Sequence, residues 1–156
     1  MSTRAPLFLA LLAGLFVSVS VWAGPPAIYA PGVKALVPVD VNLLLKEGPL
    51  ESWSHGVEVR NLGGNDQFSA HLVWIKTSER LHVHTKHDAT VVLLKGKGTF
   101  RYAQQEIKVK EGDVFSVTRG TVHAFTNGSK TPAAAYVVFS PPFDGKDTIE
   151  VNDVVQ

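Results

Sequence analysis

Cysteine is absent from this chain of 156 residues, and neither sign of charge is in clear excess. The lack of cysteine excludes disulfide bonds and thiolate metal ligands, while it leaves the compartment of the protein open. The formal net charge is +1, and the Lys and Arg residues are scattered along the chain rather than clustered. Because nucleic-acid-binding proteins usually carry a basic patch, the sequence predicts no nucleic-acid partner.

Long hydrophobic runs are missing except near the N-terminus, where an apolar stretch covers residues 7–21. Arg4 precedes it, and Val21 and Ala23 place small side chains at the two positions that a signal peptidase reads. The stretch is shorter than the roughly 20 residues that a membrane span usually needs. We therefore expect residues 1–23 to be a cleaved secretory signal peptide, with an uncleaved membrane anchor as the alternative. The mature protein is then expected to be periplasmic in a Gram-negative bacterium and secreted otherwise, without stable membrane insertion.

The remainder of the chain has the length of one domain, and 45% of all residues are hydrophobic, which suffices for a core. Residues 24–38 contain four prolines and are predicted to be an extended linker. Residues 39–156 are predicted to form a single domain. At its start, residues 39–46 are apolar, and their periodicity fits either a short helical turn or an edge strand.

Short apolar segments separated by turn residues recur from Val57 onward and predict strands. The predicted strands cover residues 57–60, 68–76, 81–84, 89–94, 99–102, 106–109, 114–117, 122–126 and 133–139. Short strands at this spacing are typical of an all-β sandwich or barrel. The tail after Pro142 is predicted to be a surface segment or a strand exchanged with a partner subunit. Edge strands need cover, so we also expect a homodimer in which residues 24–38 and this tail provide it.

Three histidines carry the functional signal of the sequence. His82 and His84 are two residues apart in an extended segment, so their side chains point to the same face of a strand. His123 follows in a later segment. Imidazole nitrogens are common ligands of divalent transition metals. The pattern favours a metal site over three unrelated packing or surface histidines.

The segments around these histidines resemble the two signature motifs of the cupin superfamily. The first motif matches at three positions: His82, His84 and Gly96. The second motif matches at four positions: Gly112, Gly120, His123 and Asn127. The family's opening glycine is Lys76 here, and its usual proline is Thr118. The resemblance covers residues 78–127 and implies a double-stranded β-helix, or jelly-roll, barrel with a divalent iron, manganese, nickel, copper or zinc ion.

The carboxylate ligand of the first motif has no unambiguous match in this sequence. Leaving three residues after His84 gives Asp88, whereas leaving six residues before Gly96 gives Ala89. His87 shares the parity of Ala89, so it points inward if the strand begins early. We predict His82, His84, His123 and Asp88 as the metal ligands, with His87 or water as the alternative to Asp88.

Other polar and aromatic residues give weaker signals. Six aromatic residues are predicted mainly as core, with cavity lining as the alternative: Trp74, Phe100, Tyr102, Phe115, Phe125 and Tyr136. His55 and His71 have no partner by spacing and are predicted to lie at the surface. Glu79 and Arg80, just before the histidine strand, are predicted to be a solvated pair rather than residues of a cavity mouth.

Two classes of function remain open at this point, because the cupin resemblance selects no reaction. The first is an exported metal-dependent enzyme, such as an oxygenase or isomerase that acts on a small molecule. The second is a non-catalytic module of the cell envelope that binds a small ligand or a metal. Metal analysis of the purified protein would separate both of these classes from a structural or assembly protein that merely keeps the fold.

Overall fold

The computed structural model describes residues 27–31, 36–48 and 54–152. The predicted signal peptide, residues 1–23, lies outside this part of the chain. The strands are β1 Ala27–Pro31, β2 Leu36–Asp40, β3 Val57–Gly64, β4 Ser69–Ile75, β5 His82–His84, β6 Asp88–Lys95, β7 Lys97–Tyr102, β8 Gln105–Lys110, β9 Val114–Val117, β10 His123–Asn127, β11 Ala133–Ser140 and β12 Thr148–Glu150. Helix α1, Val41–Glu47, follows β2. Within the described ranges, no helix has the length and apolar character needed to cross a membrane.

Two antiparallel sheets of five strands form the body of the protein. The first has the strand order β12-β5-β10-β7-β8, and the second has the order β3-β4-β11-β6-β9. Their facing sides share one hydrophobic cluster, to which β4 contributes Val73, β7 contributes Phe100 and β11 contributes Val137. This arrangement confirms the predicted all-β double-sheet barrel.

Strand β4 shows how the sequence pattern directs packing, because all seven of its residues are buried. Its alternate side chains point to opposite faces of the second sheet. Val73 and Ile75 pack between the two sheets. Leu72 and Trp74 belong to a separate cluster that includes Leu44 of α1. The helix therefore covers the outer face of the second sheet, which explains why β4 is apolar on both sides.

Helix α1 settles the choice that the sequence left open for residues 39–46. Asp40 caps its N-terminus, since its Oδ1 accepts a hydrogen bond of 3.1 Å from the amide of Leu43. Gly48 ends the helix with a φ of 70°, a conformation that glycine adopts at little cost. Buried Val41 and Leu44 hold the helix on the sheet.

The segment predicted as a linker, residues 24–38, contains regular structure. Within it β1 pairs antiparallel with β2, so that Tyr29 lies opposite Pro38. Proline is tolerated in such a two-stranded ribbon because each strand has one side without a ladder partner. The proline content therefore indicated extended backbone correctly but did not reveal the pairing.

The tail after Pro142 also joins the body of its own chain. Strand β12 pairs antiparallel with β5, placing Thr148 opposite His84 and Glu150 opposite His82. The tail is thus an edge strand of the first sheet rather than a loose surface segment. Its contact with β5 brings it next to the histidines that the sequence singled out.

Candidate metal centre

Strand pairing brings the three motif histidines together. In the ladder between β5 and β10, His82 lies directly opposite His123. His84 follows two residues later on the same face of β5, and all three side chains are buried. One ring nitrogen from each residue lies within 4.8 Å of the others. This spread is somewhat wider than the roughly 3–4 Å expected for ligands that each bind a metal at about 2.0–2.1 Å.

Hydrogen bonds at Nδ1 set the tautomer of two of these rings, His82 and His123. Nδ1 of His82 lies 2.7 Å from the carbonyl oxygen of Arg80, and Nδ1 of His123 lies 2.9 Å from that of Thr121. A carbonyl can only accept, so each Nδ1 carries the proton and donates it. The lone pair of each Nε2 is then free to face a ligand. The donor set therefore fits a divalent transition metal, for which neutral imidazole is a favoured ligand.

Burial favours the neutral form of His84 and His123 that metal binding requires. Desolvation, reinforced by the neighbouring His82 and His84, lowers the pKa of His123 to about 4, although the Thr121 carbonyl acts in the opposite direction. Desolvation and His82 also lower the pKa of His84, against the opposing effect of Asp147. Protons therefore compete weakly with a metal at these two rings near neutral pH.

The structure does not bring Asp88, the predicted fourth ligand, to this cluster. Its Oδ1 accepts hydrogen bonds from the amide and Nε of Arg119, at 2.8 and 3.2 Å, and its Oδ2 lies 2.6 Å from Nη2. These bonds lower the pKa of Asp88 to about 2. Strand parity accounts for this placement: Ala89, the next residue of β6, is the one that is buried and lines the interior.

His87, the alternative fourth ligand, is buried but has other partners. Its Nδ1 lies 2.5 Å from Oδ2 of Asp147, and its Nε2 lies 2.9 Å from the carbonyl oxygen of Pro142. Both ring nitrogens are thus engaged by residues other than the three clustered histidines. Neither residue that the sequence offered as a fourth ligand is grouped with His82, His84 and His123.

The three histidines line a cavity of about 260 Å³ between the two sheets. Its walls are mostly apolar, and they include Val73, Ile75, Phe100, Phe115, Val137 and Phe139. Three of the aromatic residues considered as lining, Phe100, Phe115 and Phe125, therefore do line the cavity. Trp74 instead packs in the cluster under α1. A cavity with apolar walls and a few polar groups is the usual form of a small-molecule site.

Glu79 is the cavity residue that sequence reasoning missed. Its Oε2 accepts a hydrogen bond of 2.8 Å from the amide of Phe125, and the side chain lines the cavity instead of forming a solvated pair with Arg80. Burial raises the pKa of Glu79, although nearby His82 and the Phe125 amide act in the opposite direction. Its position three residues before His82 indicated that it lies near the histidines. The direction of its side chain could not be predicted, because Glu79 lies between β4 and β5, where strand alternation does not apply.

Arg80 lies at the exposed end of the cavity. Its Nη1 is 2.8 Å from both carboxylate oxygens of Glu150, and its Nη2 is 2.7 Å from Nδ1 of His55. All three residues line the cavity, and about half of the Arg80 and Glu150 side chains is exposed, at 51% and 55%. This bridge links β12 to the loop before β3 across the cavity entrance.

His71 is a second correction, since it was expected at the surface and is buried. Its Nε2 lies 2.8 Å from Oγ of Ser69, and its ring meets Phe139 edge-on at a centroid distance of 5.5 Å. Desolvation lowers its pKa. The alternation of β4 carried the signal, because His71 shares a face with buried Val73 and Ile75.

Comparison with known proteins agrees with this geometry. The family model described as "Cupin domain" matches residues 72–139. A protein of Aquifex aeolicus (strain VF5), described as uncharacterized, is 40% identical over 114 residues, which cover 72% of this chain and 90% of that protein.

Solved structures show the same fold at low identity. An RmlC-like cupin from Shewanella frigidimarina is 22% identical with a TM-score of 0.53, covering 61% of this chain and 86% of that one. Pac13 from Streptomyces, described as a nucleoside dehydratase, is 16% identical with a TM-score of 0.55, covering 64% and 82%. With two facing antiparallel sheets, both histidine motifs and these matches, the chain belongs to the cupin superfamily.

Proposed function

We propose that this protein is a metal-dependent enzyme that moves a proton on a small, largely apolar molecule, as an isomerase or a dehydratase does. The observation that carries the proposal is the convergence of His82, His84 and His123 in the lining of a mostly apolar cavity that Glu79 also lines. Three protein ligands leave coordination positions for water or substrate, as in catalytic metal sites. We propose iron, manganese, nickel, copper or zinc as the metal.

Ala89 supports an open coordination shell. Six residues separate it from Gly96, the spacing at which the cupin motif has its carboxylate ligand, and its side chain is buried against the cavity. A methyl group cannot bind a metal. We propose that β6 supplies no carboxylate ligand here, and the pairing of Asp88 with Arg119 supports this.

The residues of this chain divide the work of the proposed reaction. When bound, the metal acts as a Lewis acid that polarises an oxygen of the substrate. The apolar walls exclude water and hold the body of the molecule. The Glu79 carboxylate removes a proton from a carbon next to a substrate carbonyl, and the electron pair of that C–H bond shifts toward the carbonyl oxygen. In a substrate with a carbon–carbon double bond beyond that carbon, the electron pair returns from the oxygen and the proton is returned to the far end of the double bond. The double bond thereby shifts into conjugation with the carbonyl, which completes an isomerisation without any external oxidant.

The environment of Glu79 supports this role. The amide of Phe125 holds one of its oxygens, and the side chain lines the cavity. Its raised pKa brings the carboxyl closer to neutral pH, where a group both accepts and returns protons efficiently. A half-buried acid–base residue in the cavity lining is also the feature that favours an enzyme over the competing function, a non-catalytic module that binds a small ligand or metal.

The cellular setting belongs to the same proposal. We propose that the chain is exported, that residues 1–23 are removed after Ala23, and that the mature protein is periplasmic in a Gram-negative bacterium and secreted otherwise. We also propose a homodimer. N-terminal sequencing of exported protein tests the cleavage, and light scattering at micromolar concentration tests the dimer. An exported chain that still begins at Met1, or a strictly monomeric species, would overturn the corresponding part.

The metal itself is tested by elemental analysis of protein purified from its native compartment. We expect one transition metal ion per wild-type chain and almost none in His84→Ala. His55→Ala is the matched control, because it also removes one imidazole from the cavity lining but lies outside the cluster. Undiminished metal in His84→Ala would contradict the proposed function.

A further inference from the structure

Asp147 is a buried carboxylate from the C-terminal part of the chain that lies between two histidines. Its Oδ1 is 3.4 Å from Nδ1 of His84, a proposed metal ligand, and its Oδ2 is 2.5 Å from Nδ1 of His87. The side chain of Asp147 is completely buried. It comes from just before β12, 63 residues after His84 and beyond the region 72–139 that matches the cupin family.

The way in which His84 is held differs from that of the other two histidines in the cluster. His82 and His123 each direct Nδ1 at a backbone carbonyl two residues earlier, that of Arg80 or Thr121. The acceptors next to His84 Nδ1 are instead Oδ1 of Asp147 and Oγ1 of Thr148, both at 3.4 Å. The orientation of this one ligand thus depends on the C-terminal segment.

The Asp147 carboxylate is itself fixed from several sides. Its Oδ2 also accepts a hydrogen bond of 3.0 Å from the amide of Lys86. His87 is anchored at its far side, where Nε2 lies 2.9 Å from the carbonyl oxygen of Pro142. An isolated carboxylate in the interior is costly, and these donors offset that cost. Although burial opposes its charge, hydrogen bonds from His87 and Lys86 hold the pKa of Asp147 below its usual value.

Aromatic packing restricts movement of the two imidazole rings that contact Asp147, those of His84 and His87. Phe139 and Phe143 stack on each other at 4.6 Å between ring centroids. The ring of Phe143 meets His84 edge-on at 5.4 Å and His87 edge-on at 5.5 Å. Both imidazoles are therefore confined by side chains from β11 and from the segment that follows it.

We propose that Asp147 is a positioning residue that fixes the tautomer and ring orientation of His84 for metal binding, and that His87 in turn fixes Asp147. The inference rests on the proposed metal site. It gives His87 a role that is not ligation, and it makes residues 142–148 a part of the metal centre. Partners of this kind behind a metal-binding histidine typically change metal affinity about 10–100-fold when they are removed.

The test compares Asp147→Asn with Asp144→Asn in the full-length mature protein. Asp144 is a suitable control because it lies in the same segment and bonds only the amide of nearby Lys146 among the described contacts. We measure zinc affinity by competition with a chromophoric chelator. Asp147→Asn should bind zinc roughly 10–100-fold more weakly, while Asp144→Asn should match the wild type. Wild-type affinity in Asp147→Asn would overturn the proposal.

A second measurement separates positioning from a purely structural role. Nitrogen-15 NMR of the metal-free protein reports the protonated nitrogen of each histidine. Asp147→Asn should alter the signals of His84 and leave those of His82 and His123 unchanged. An unchanged His84 tautomer would overturn the proposal. If Asp147→Asn fails to fold, the same spectra of His87→Gln decide, with a changed His84 signal expected and an unchanged one contradicting the role.

The two proposals fail in different ways. A wild-type protein that binds no zinc or other transition metal contradicts the proposed function, while the His84 tautomer still tests the role of Asp147. A wild-type protein that binds metal, together with an Asp147→Asn variant that binds it equally well, leaves the proposed function intact and removes this inference.

Discussion

Asp88 and Arg119 form a two-point ion pair, with Oδ2 2.6 Å from Nη2 and Oδ1 3.2 Å from Nε. Both side chains are about half exposed, at 43% and 53%. The pair joins the first residue of β6 to the turn before β10, away from the histidine cluster. The Asp88 carboxylate, which fits one count of the cupin motif, therefore makes a structural contact with Arg119.

We therefore predict that Asp88→Asn keeps the full metal stoichiometry of the wild type. Loss of the pair should reduce stability only slightly, because exposed ion pairs contribute little. The effect should also depend on pH. The Arg119 hydrogen bonds lower the pKa of Asp88 to about 2 from 3.8. The stabilisation is thus complete above the ordinary pKa and lost as the pH falls toward the lowered one.

Thermal unfolding of wild type and Asp88→Asn at several pH values, together with elemental analysis, checks this prediction. The two curves should converge toward pH 2 and separate above pH 4, where the wild-type carboxylate is ionised in both the folded and unfolded states. A variant that loses its metal would return Asp88 to the ligand set.

The lowered pKa of His123 predicts that the metal-free protein loses stability in mild acid. Its folded pKa is about 4, below the ordinary 6.5, so the unfolded chain binds more protons between these values. Stability should therefore fall as the pH drops from 6.5 toward 4. The full shift corresponds to about 3 kcal/mol as an order of magnitude. The lowered pKa of His84 acts in the same direction.

Urea unfolding in the presence of a chelator at pH 7 and pH 4.5 measures this loss. His123→Gln should lose less stability between the two pH values than the wild type. His55→Ala, which removes an exposed histidine, should behave like the wild type. Equal losses in all three proteins would show that His123 is not the group responsible.

Glu79→Gln tests the proposed proton-transfer residue. Glutamine keeps an oxygen that accepts the amide hydrogen bond from Phe125, so fold and metal content should remain. A substrate found by screening should be turned over about 10²–10⁴-fold more slowly, the usual contribution of general acid–base catalysis. Glu150→Gln is the matched control, since Glu150 also lines the cavity but pairs with Arg80 at its exposed end. Equal activity of Glu79→Gln and the wild type would contradict the role.

The sequence predicts most of the fold because alternation is a local property. Strand β4 is an example: its period-two pattern places Val73 and Leu72 on opposite faces, and the structure packs them in different clusters. The pair His82 and His84 is predictable for the same reason. His123 was found through the spacing of a family motif, since its pairing with β5 is not visible in the local sequence.

Contacts between segments far apart in the chain could not be predicted from the sequence. Asp147 meets His84 only because β12 pairs with β5, and nothing near Asp147 marks that pairing. The sequence could not show that Asp88 pairs with Arg119, because one residue of register decides which side chain of β6 faces inward, and the motif spacing allowed both Asp88 and Ala89. Glu79 lies outside the named strands, where alternation gives no direction.

Ala89→Glu should rebuild the carboxylate ligand that β6 lacks. Ala89 is buried, lines the cavity with the three histidines, and lies opposite Val117 and Phe139 in the neighbouring strands. The adjoining cavity of about 260 Å³ offers room for the longer side chain. A fourth, anionic ligand should tighten metal binding, and it should lower catalytic turnover because it occupies a position proposed for substrate.

Two comparisons make this prediction specific. Ala89→Gln has nearly the same size without the charge, and Asp88→Glu lengthens the neighbouring carboxylate that faces Arg119. Zinc competition should show tighter binding in Ala89→Glu alone.

Without metal, Ala89→Glu should be less stable than the wild type, by roughly 1–3 kcal/mol for a buried polar group that lacks a partner. Added zinc should restore that stability, since a ligand that binds only the folded state stabilises it. Equal zinc affinity of Ala89→Glu and Ala89→Gln would mean that position 89 does not face the metal, and the three-histidine geometry would need revision.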